Sequence, residues 1–176
     1  PDGPANLINA VRAAANDRVQ AAGGSYIAFN DRLHEASRVT KSHTSRVDTF
    51  ESPDSGPLAS LTRDRIRFHH DPHSTEPTFA PIVPTATVRI IPSAVGMPRD
   101  PIDDAIEAGV DGIVIEGTGI GNTTHAIGDA IADAIDHGLA VVVGSRCYGG
   151  ATQPIYGSDG GGETLRKHGV GFADDL

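Results

Sequence analysis

The chain has 176 residues and a mass of 18.2 kDa, room for one full domain or two small ones. Asp and Glu total 23 against 14 Lys and Arg, a formal net charge of -9; so acidic a surface repels phosphate backbones and argues against a nucleic-acid partner. No apolar run approaches the ~18 residues of a membrane span, no basic-then-apolar leader opens the chain, and a single cysteine, Cys147, excludes an internal disulfide framework.

A cytoplasmic protein with no membrane partner is therefore expected. The opening Pro-Asp-Gly-Pro, in place of Met, reads as a processed or truncated piece. Only Lys41 and Lys167 are lysine, the acids are mostly Asp, and aromatics make up 5%. That pattern fits a salt-rich cytoplasm, where a dense carboxylate surface stays hydrated while salt screens its self-repulsion. Codon bias in a GC-rich genome also trades Lys for Arg, and both readings stay open.

Leu7, Ile8, Val11, Ala14 and Ala15 recur at helical spacing, which predicts a helix over 5–16 with Pro4 near its start. Gly23-Gly24 leads into a strand over 25–30, Asn30-Asp31 is turn chemistry, and a second extended segment covers 33–38. Residues 39–57 read as a polar, irregular loop of the kind that carries function, and 66–69 as a short strand. Pro72, Pro77, Pro81 and Pro84 mark an extended linker, giving a division into 1–70, a linker over 71–87, and 88–176.

Past the linker the pattern is regular. A strand over 88–91 precedes a helix with Asp100 as cap and Pro101 at its first position, ended by Gly109. A nearly continuous apolar strand over 111–115, a glycine-rich turn over 117–122, and a helix carrying Ile127, Ala130, Ile131, Ala134 and Ile135 follow. Gly138 stops that helix, a third strand covers 139–144, and a short helix covers 163–168. Strand-helix-strand-helix-strand at this spacing predicts an α/β fold with a parallel sheet and right-handed crossovers.

Four constellations carry candidate chemistry. Gly117-Thr-Gly119-Ile-Gly121-Asn122 lies between a strand and a helix, the edge where ligands bind in open parallel sheets. Its spacing is not that of the dinucleotide fingerprint, although Arg146 could meet a 2′-phosphate; a tight turn that needs glycine is the simpler reading. His69 and His70 would point oppositely on an extended chain, so metal binding by His69-His70-Asp71-Pro72-His73 is discounted. Cys147 follows a buried strand and is expected to be buried and inert. Lys41 stands out because the chain otherwise avoids lysine, and an amine, unlike a guanidinium, can be deprotonated.

Several motifs together resemble the L-asparaginases of the bacterial and archaeal amidohydrolase family. They are Phe29-Asn30-Asp31-Arg32, Arg38-Val-Thr-Lys41 with Thr44, Asp48-Thr-Phe50-Glu-Ser52 and Gly56-Pro57-Leu58. Asp2-Gly3-Pro4-Ala5-Asn6-Leu7, with Ala10-Val11, resembles the segment after that family's second catalytic motif. Asp111-Gly-Ile-Val114, the Gly117–Asn122 turn, and Val141-Val-Val with Ser145-Arg146 are similar to its C-terminal signature.

The resemblance implies the end of a larger N-terminal α/β domain followed by a small parallel-sheet, flavodoxin-like α/β domain. It implies hydrolysis of L-asparagine to L-aspartate and ammonia, with no metal or cofactor, in a homodimer or homotetramer. It places a catalytic amine at Lys41, part of a Thr-Asp-Lys set, and a substrate contact to the neighbouring subunit's site at Asn122. Asn122 is expected as a cap or first-turn residue of the helix after the turn. The family's Thr nucleophile segment and its Gly-Thr-Asp-Thr motif have no counterpart in these residues, and its last helix is expected after Leu176. The piece is therefore expected to be inactive alone, and its composition to reflect a salt-loving archaeal source. The rival readings are the catalytic subunit of an archaeal Glu-tRNA(Gln) amidotransferase, which shares the catalytic domain, and a dinucleotide-binding module.

Overall fold

The computed structural model describes residues 2–72 and 82–173, and the chain divides into two compact units, Pro1–Pro81 and Ile82–Leu176. Of the expected 71–87 linker, residues 73–81 lie outside the described residues; residues 82–87 are exposed and adopt no regular element.

The first unit opens with α1, Gly3–Ala14, which carries Pro4 in its first turn, where a missing N–H costs nothing. It stops short of the expected end because Asn16 caps a second helix, α2, Asp17–Ala22, by accepting the Arg18 N–H. At six residues α2 is too short to leave a periodic signal. The apolar spacing that marks α1 in the sequence is not its buried face. Leu7, Ile8 and Val11 are exposed, whereas Asn9 and Ala13 are buried.

The inward face of α1 is chosen by hydrogen bonds. The strands β1, Tyr26–Phe29, and β2, Arg32–Glu35, pair antiparallel through Asn30-Asp31, whose φ values of 46° and 57° are both left-handed. Two left-handed residues match the right-handed twist of a hairpin, and Asn and Asp tolerate that region. Asn6 Oδ1 accepts the Asn30 N–H at 3.0 Å, and Asn9 Nδ2 donates to Asp31 at 3.0 Å. The helix is thus docked on the turn by two amides.

The polar stretch expected as a loop contains a small hairpin, β3, Thr40–Lys41, and β4, Phe50–Glu51. Two further strands, β5, Ala59–Leu61, and β6, Ile66–Phe68, complete an antiparallel sheet in the order β1-β2-β5-β6. Leu33, Leu58, Ala59 and Leu61 pack beneath it against Ala13 and Val19 of the helices.

The second unit is the parallel sheet read from the sequence. Its strands are β7, Val88–Pro92, β8, Gly112–Gly117, β9, Ala140–Ser145, and a short β10, Gly171–Phe172, in the order β10-β9-β8-β7. All three pairings are parallel, with Ile91 opposite Ile115 and Ile115 opposite Val143. The connections carry α3, Asp100–Glu107, α4, His125–Asp136, and α5, Gly162–Lys167. Ile91, Ile113, Ile115, Val141 and Val143 bury one sheet face against Ile102, Ala105, Ile127, Ala130, Ile131 and Ala134.

Two helix starts differ from expectation. Asp100 is the first helical residue of α3, and Arg99, with helical dihedrals, occupies the cap position. The Arg99 guanidinium bonds Asp103 on α3 and Asp133 on α4, and so ties the two helices together. Helix α4 is capped by Thr124, whose hydroxyl accepts the Ile127 N–H. Among the described residues no helix is long and apolar enough to cross a membrane.

Candidate active site

Lys41 lies on β3 directly opposite Phe50. Its side chain is exposed, and Nζ stands 5.5 Å from the centre of the Phe50 ring, within reach of the ring's negative face. That ring packs edge-on against Phe29 of β1, with centroids 5.0 Å apart at 63°. An edge-on aromatic pair therefore lies beside an accessible amine.

The loop joining β3 to β4 is held from within. Thr49 is 2% exposed. Its carbonyl accepts the Ser42 N–H at 2.8 Å and the Ser42 hydroxyl at 3.1 Å. Its hydroxyl donates to the His43 carbonyl and accepts the His43 N–H at 3.1 Å. His43 Nδ1 accepts the Ser45 and Arg46 N–H groups. Arg46 grips Asp48 with two bonds of 2.9 and 2.5 Å, and this cation holds the Asp48 carboxyl below its ordinary range. Thr44, quoted in the family motif, is exposed on the same loop. Two of the hydroxyls near Lys41, Ser42 and Thr49, hold the loop's shape.

A second polar anchor escaped the sequence reading. His34 on β2 is 1% exposed and Ser52, just after β4, is 6% exposed; His34 Nδ1 and Ser52 Oγ are 2.8 Å apart. Burial, with the Arg32 cation beside it, pushes the His34 ring below its ordinary pKa, while Glu51 opposes the shift. The available signal was a histidine next to an inward Leu33 in a strand bounded by turn residues.

The 117–122 turn of the second unit lies at the carboxyl end of β8. It closes on itself through Thr118 N–H to the Asn122 carbonyl at 2.8 Å and Asn122 N–H back to Thr118 at 3.0 Å. Gly121 has φ 97°, a conformation closed to most side chains. At Gly117 a Cβ would come within 3.0 Å of Gly121 and of the Gly144 carbonyl. Asn122 is half-buried and two residues short of the α4 cap, which corrects the expectation that it opens that helix. Its Oδ1 accepts the Gly162 N–H at the start of α5, 3.2 Å away. The reason is local: closing the 118–122 bridge spends the Asn122 backbone within the turn, the Thr123 N–H goes to the Gly160 carbonyl, and Thr124, which is extended, provides the cap. Arg146 bonds the turn through its backbone N–H to the Gly117 carbonyl, and its side chain is exposed.

Cys147 is a further correction, because it is exposed rather than buried. Strand β9 ends at Ser145, whose hydroxyl accepts the Cys147 N–H and turns the chain outward. His69 Nε2 meets the Ser60 hydroxyl at 2.9 Å. Among the described residues no group of three or more His, Cys, Asp or Glu is placed to hold a metal ion.

Comparison with known proteins gives the family. The glutaminase/asparaginase C-terminal domain model matches residues 87–176, and the asparaginase N-terminal model matches residues 1–74. The chain belongs to the asparaginase family. It is 35% identical to L-asparaginase 2 of Escherichia coli over 156 residues, covering 86% of this chain and 44% of that protein. It is 33% identical to a glutamyl-tRNA(Gln) amidotransferase subunit of Pyrococcus furiosus over 186 residues, covering 99% of this chain and 41% of that one. A probable L-asparaginase of Deinococcus radiodurans is 33% identical, with 96% and 52% covered. The chain thus spans less than half the length of the first two relatives. The asparaginase family provides the frame in which both the β3–β4 hairpin and the 117–122 turn are read.

Proposed function

We propose that the gene product hydrolyses L-asparagine to L-aspartate and ammonia, and that Lys41 handles protons in that reaction. The observation that carries the reading is the placement of Lys41. In a chain that uses arginine almost everywhere, the first unit keeps one lysine, exposed, with its amine over the Phe50 ring that packs edge-on against Phe29. Amide hydrolysis needs a group that takes a proton from the attacking hydroxyl and returns one to the departing nitrogen. An amine can cycle in this way at working pH and a guanidinium cannot. The family's Thr nucleophile has no counterpart in these residues, so the reading assigns attack to a Thr elsewhere in the full gene product. It assigns to Asn122 a substrate contact made in a neighbouring subunit's site, which implies a homodimer or homotetramer. A cytoplasmic, salt-adapted enzyme agrees with the acidic, lysine-poor composition.

The second reading is the catalytic subunit of a tRNA-dependent amidotransferase, favoured by relatives of that name that match 99% of the chain. Ammonia release by the complete gene product separates the two. Turnover of free asparagine, lost in Lys41→Met, supports hydrolysis. No release from free asparagine or glutamine, with release appearing only when a charged tRNA and a partner protein are added, supports the second reading.

A further inference from the structure

We propose that His34 and Ser52 are positioning residues that pin the Lys41 hairpin to the four-stranded sheet. The proposal rests on the reading of Lys41 as the catalytic amine, and its physical part can be tested apart from that reading.

Among the described residues, strands β3 and β4 pair with each other in a two-stranded sheet outside the β1-β2-β5-β6 ladder. The short 36–39 connection ties β3 to the end of β2, but no backbone ladder joins the hairpin to the main sheet, so side chains hold its β4 side against it. The edge-on Phe29–Phe50 contact also joins the hairpin to β1, with a preferred ring geometry but no hydrogen bond. The His34–Ser52 bond is directional. It joins the middle of β2 to the residue that follows Glu51, and Glu51 is itself paired with Thr40, the neighbour of Lys41. The tether from sheet to amine thus runs His34, Ser52, Glu51, Thr40, Lys41.

His34 is costly in this place. Its Nε2 is buried and has no hydrogen-bond partner among the described residues. A leucine would fill a strand position beside Leu33 without that orphan, and a buried polar nitrogen left unpaired is destabilising. Packing alone does not account for an imidazole here, whereas a directional bond to Ser52 does. The ring stays neutral because burial and Arg32 both disfavour its cation; Glu51, the remaining charge facing it, opposes them. A neutral ring with Nε2 orphaned offers Nδ1 to Ser52 alone, so the tether has one geometry.

The test uses the complete gene product with His34→Leu, Ser52→Ala and the conservative His34→Asn, whose amide sits where Nδ1 does. Amide hydrogen exchange is followed by peptide, well below each melting point, together with kcat and KM for asparagine. For His34→Leu and Ser52→Ala the expected result is at least tenfold faster exchange confined to the 40–51 peptide, with peptides from β5 and α4 unchanged. The kcat should fall about tenfold with KM changed less than threefold, and His34→Asn should recover most of both losses. Unchanged exchange in the 40–51 peptide, or faster exchange spread evenly over the first unit, overturns the pin. Local loosening with kcat intact overturns the positioning role. Lys41→Met is run alongside: if it keeps normal turnover, the lysine assignment fails, and the exchange data still decide the pin. Ser52→Ala removes only an oxygen and keeps the test readable should His34→Leu fail to fold.

Discussion

Asn9 Nδ2 donates to the Asp31 carboxylate at 3.0 Å, and Asn9 Oδ1 accepts Arg12 Nη1 at the same distance, so a buried amide on α1 reads the β1–β2 turn and its own helix together. This arrangement explains why an apolar stripe on α1 faces outward. The helix is oriented by amides that satisfy turn groups, and of its aliphatic side chains Ala13 follows them into the core.

Asn9→Leu should therefore destabilise the first unit although it adds apolar surface at a buried site. Losing a bond to a charged acceptor costs about 1–3 kcal/mol. Urea unfolding should show a lower midpoint with an unchanged slope. An unchanged or raised midpoint would show that packing, not hydrogen bonding, sets the helix face.

The turn itself gives a paired comparison. Asn30→Gly relieves a left-handed residue and keeps the backbone N–H that Asn6 accepts, so stability should hold or rise by a few tenths of a kcal/mol. Asn30→Val puts a β-branched side chain at φ 46° and should cost about 1–2 kcal/mol. Equal melting temperatures for the two variants would contradict the left-handed assignment.

The regular half of the chain was legible because its signals are redundant. Strands β7, β8 and β9 each carry a run of apolar residues, α3 and α4 have their own period, and Gly109 and Gly138 stop those helices, while the two-residue β10 left no signal. The first unit was less legible, because its order rests on side chains that pair over long sequence distances. The 39–57 stretch reads as a loop since β3 and β4 have two residues each, and nothing local says that His34 and Ser52, eighteen positions apart, will meet. Cys147 was misplaced because burial was carried past the end of a buried strand, whereas the chain leaves the core after Ser145. Lys41 stands out in the sequence because lysine is rare here, while Asn122 was placed on the right turn but two residues too close to the helix, whose cap is Thr124.

A pH prediction follows from His34. Its folded pKa lies below the ordinary value near 6.5, so the unfolded chain binds the proton first as pH falls. Protonation of His34 should thus play no part above about pH 7 and should destabilise the fold increasingly as pH drops below ~6.5. Melting temperatures from pH 7.5 to 5.5 should fall more steeply for the parent than for His34→Asn, which cannot titrate. Arg32 and Glu51 are present in both and cancel in the comparison. Parallel curves would contradict the assignment of a neutral buried ring.

In the second unit, Ile115 is fully buried between strands β7 and β9, paired with Ile91 and Val143. Ile115→Ala should cost about 2–5 kcal/mol through lost burial and the cavity it leaves. Val95, 98% exposed, is the control, and Val95→Ala should stay within about 0.5 kcal/mol. A small effect at Ile115 would mean that the sheet face relaxes into the space.

The central claim is that the Lys41 amine moves protons for amide hydrolysis, and turnover of Lys41→Met in the complete gene product tests it most directly. Methionine keeps the aliphatic stem over Phe50 and removes only the amine, so the melting temperature should barely move. The kcat for asparagine, read as ammonia released at high salt, should fall by ~10²–10⁴-fold, the usual worth of a positioned general acid–base group. Lys41→Arg should fall nearly as far. Lys167→Met, which breaks only an exposed pair with Glu163, should match the parent. Near-normal turnover in Lys41→Met would contradict the account.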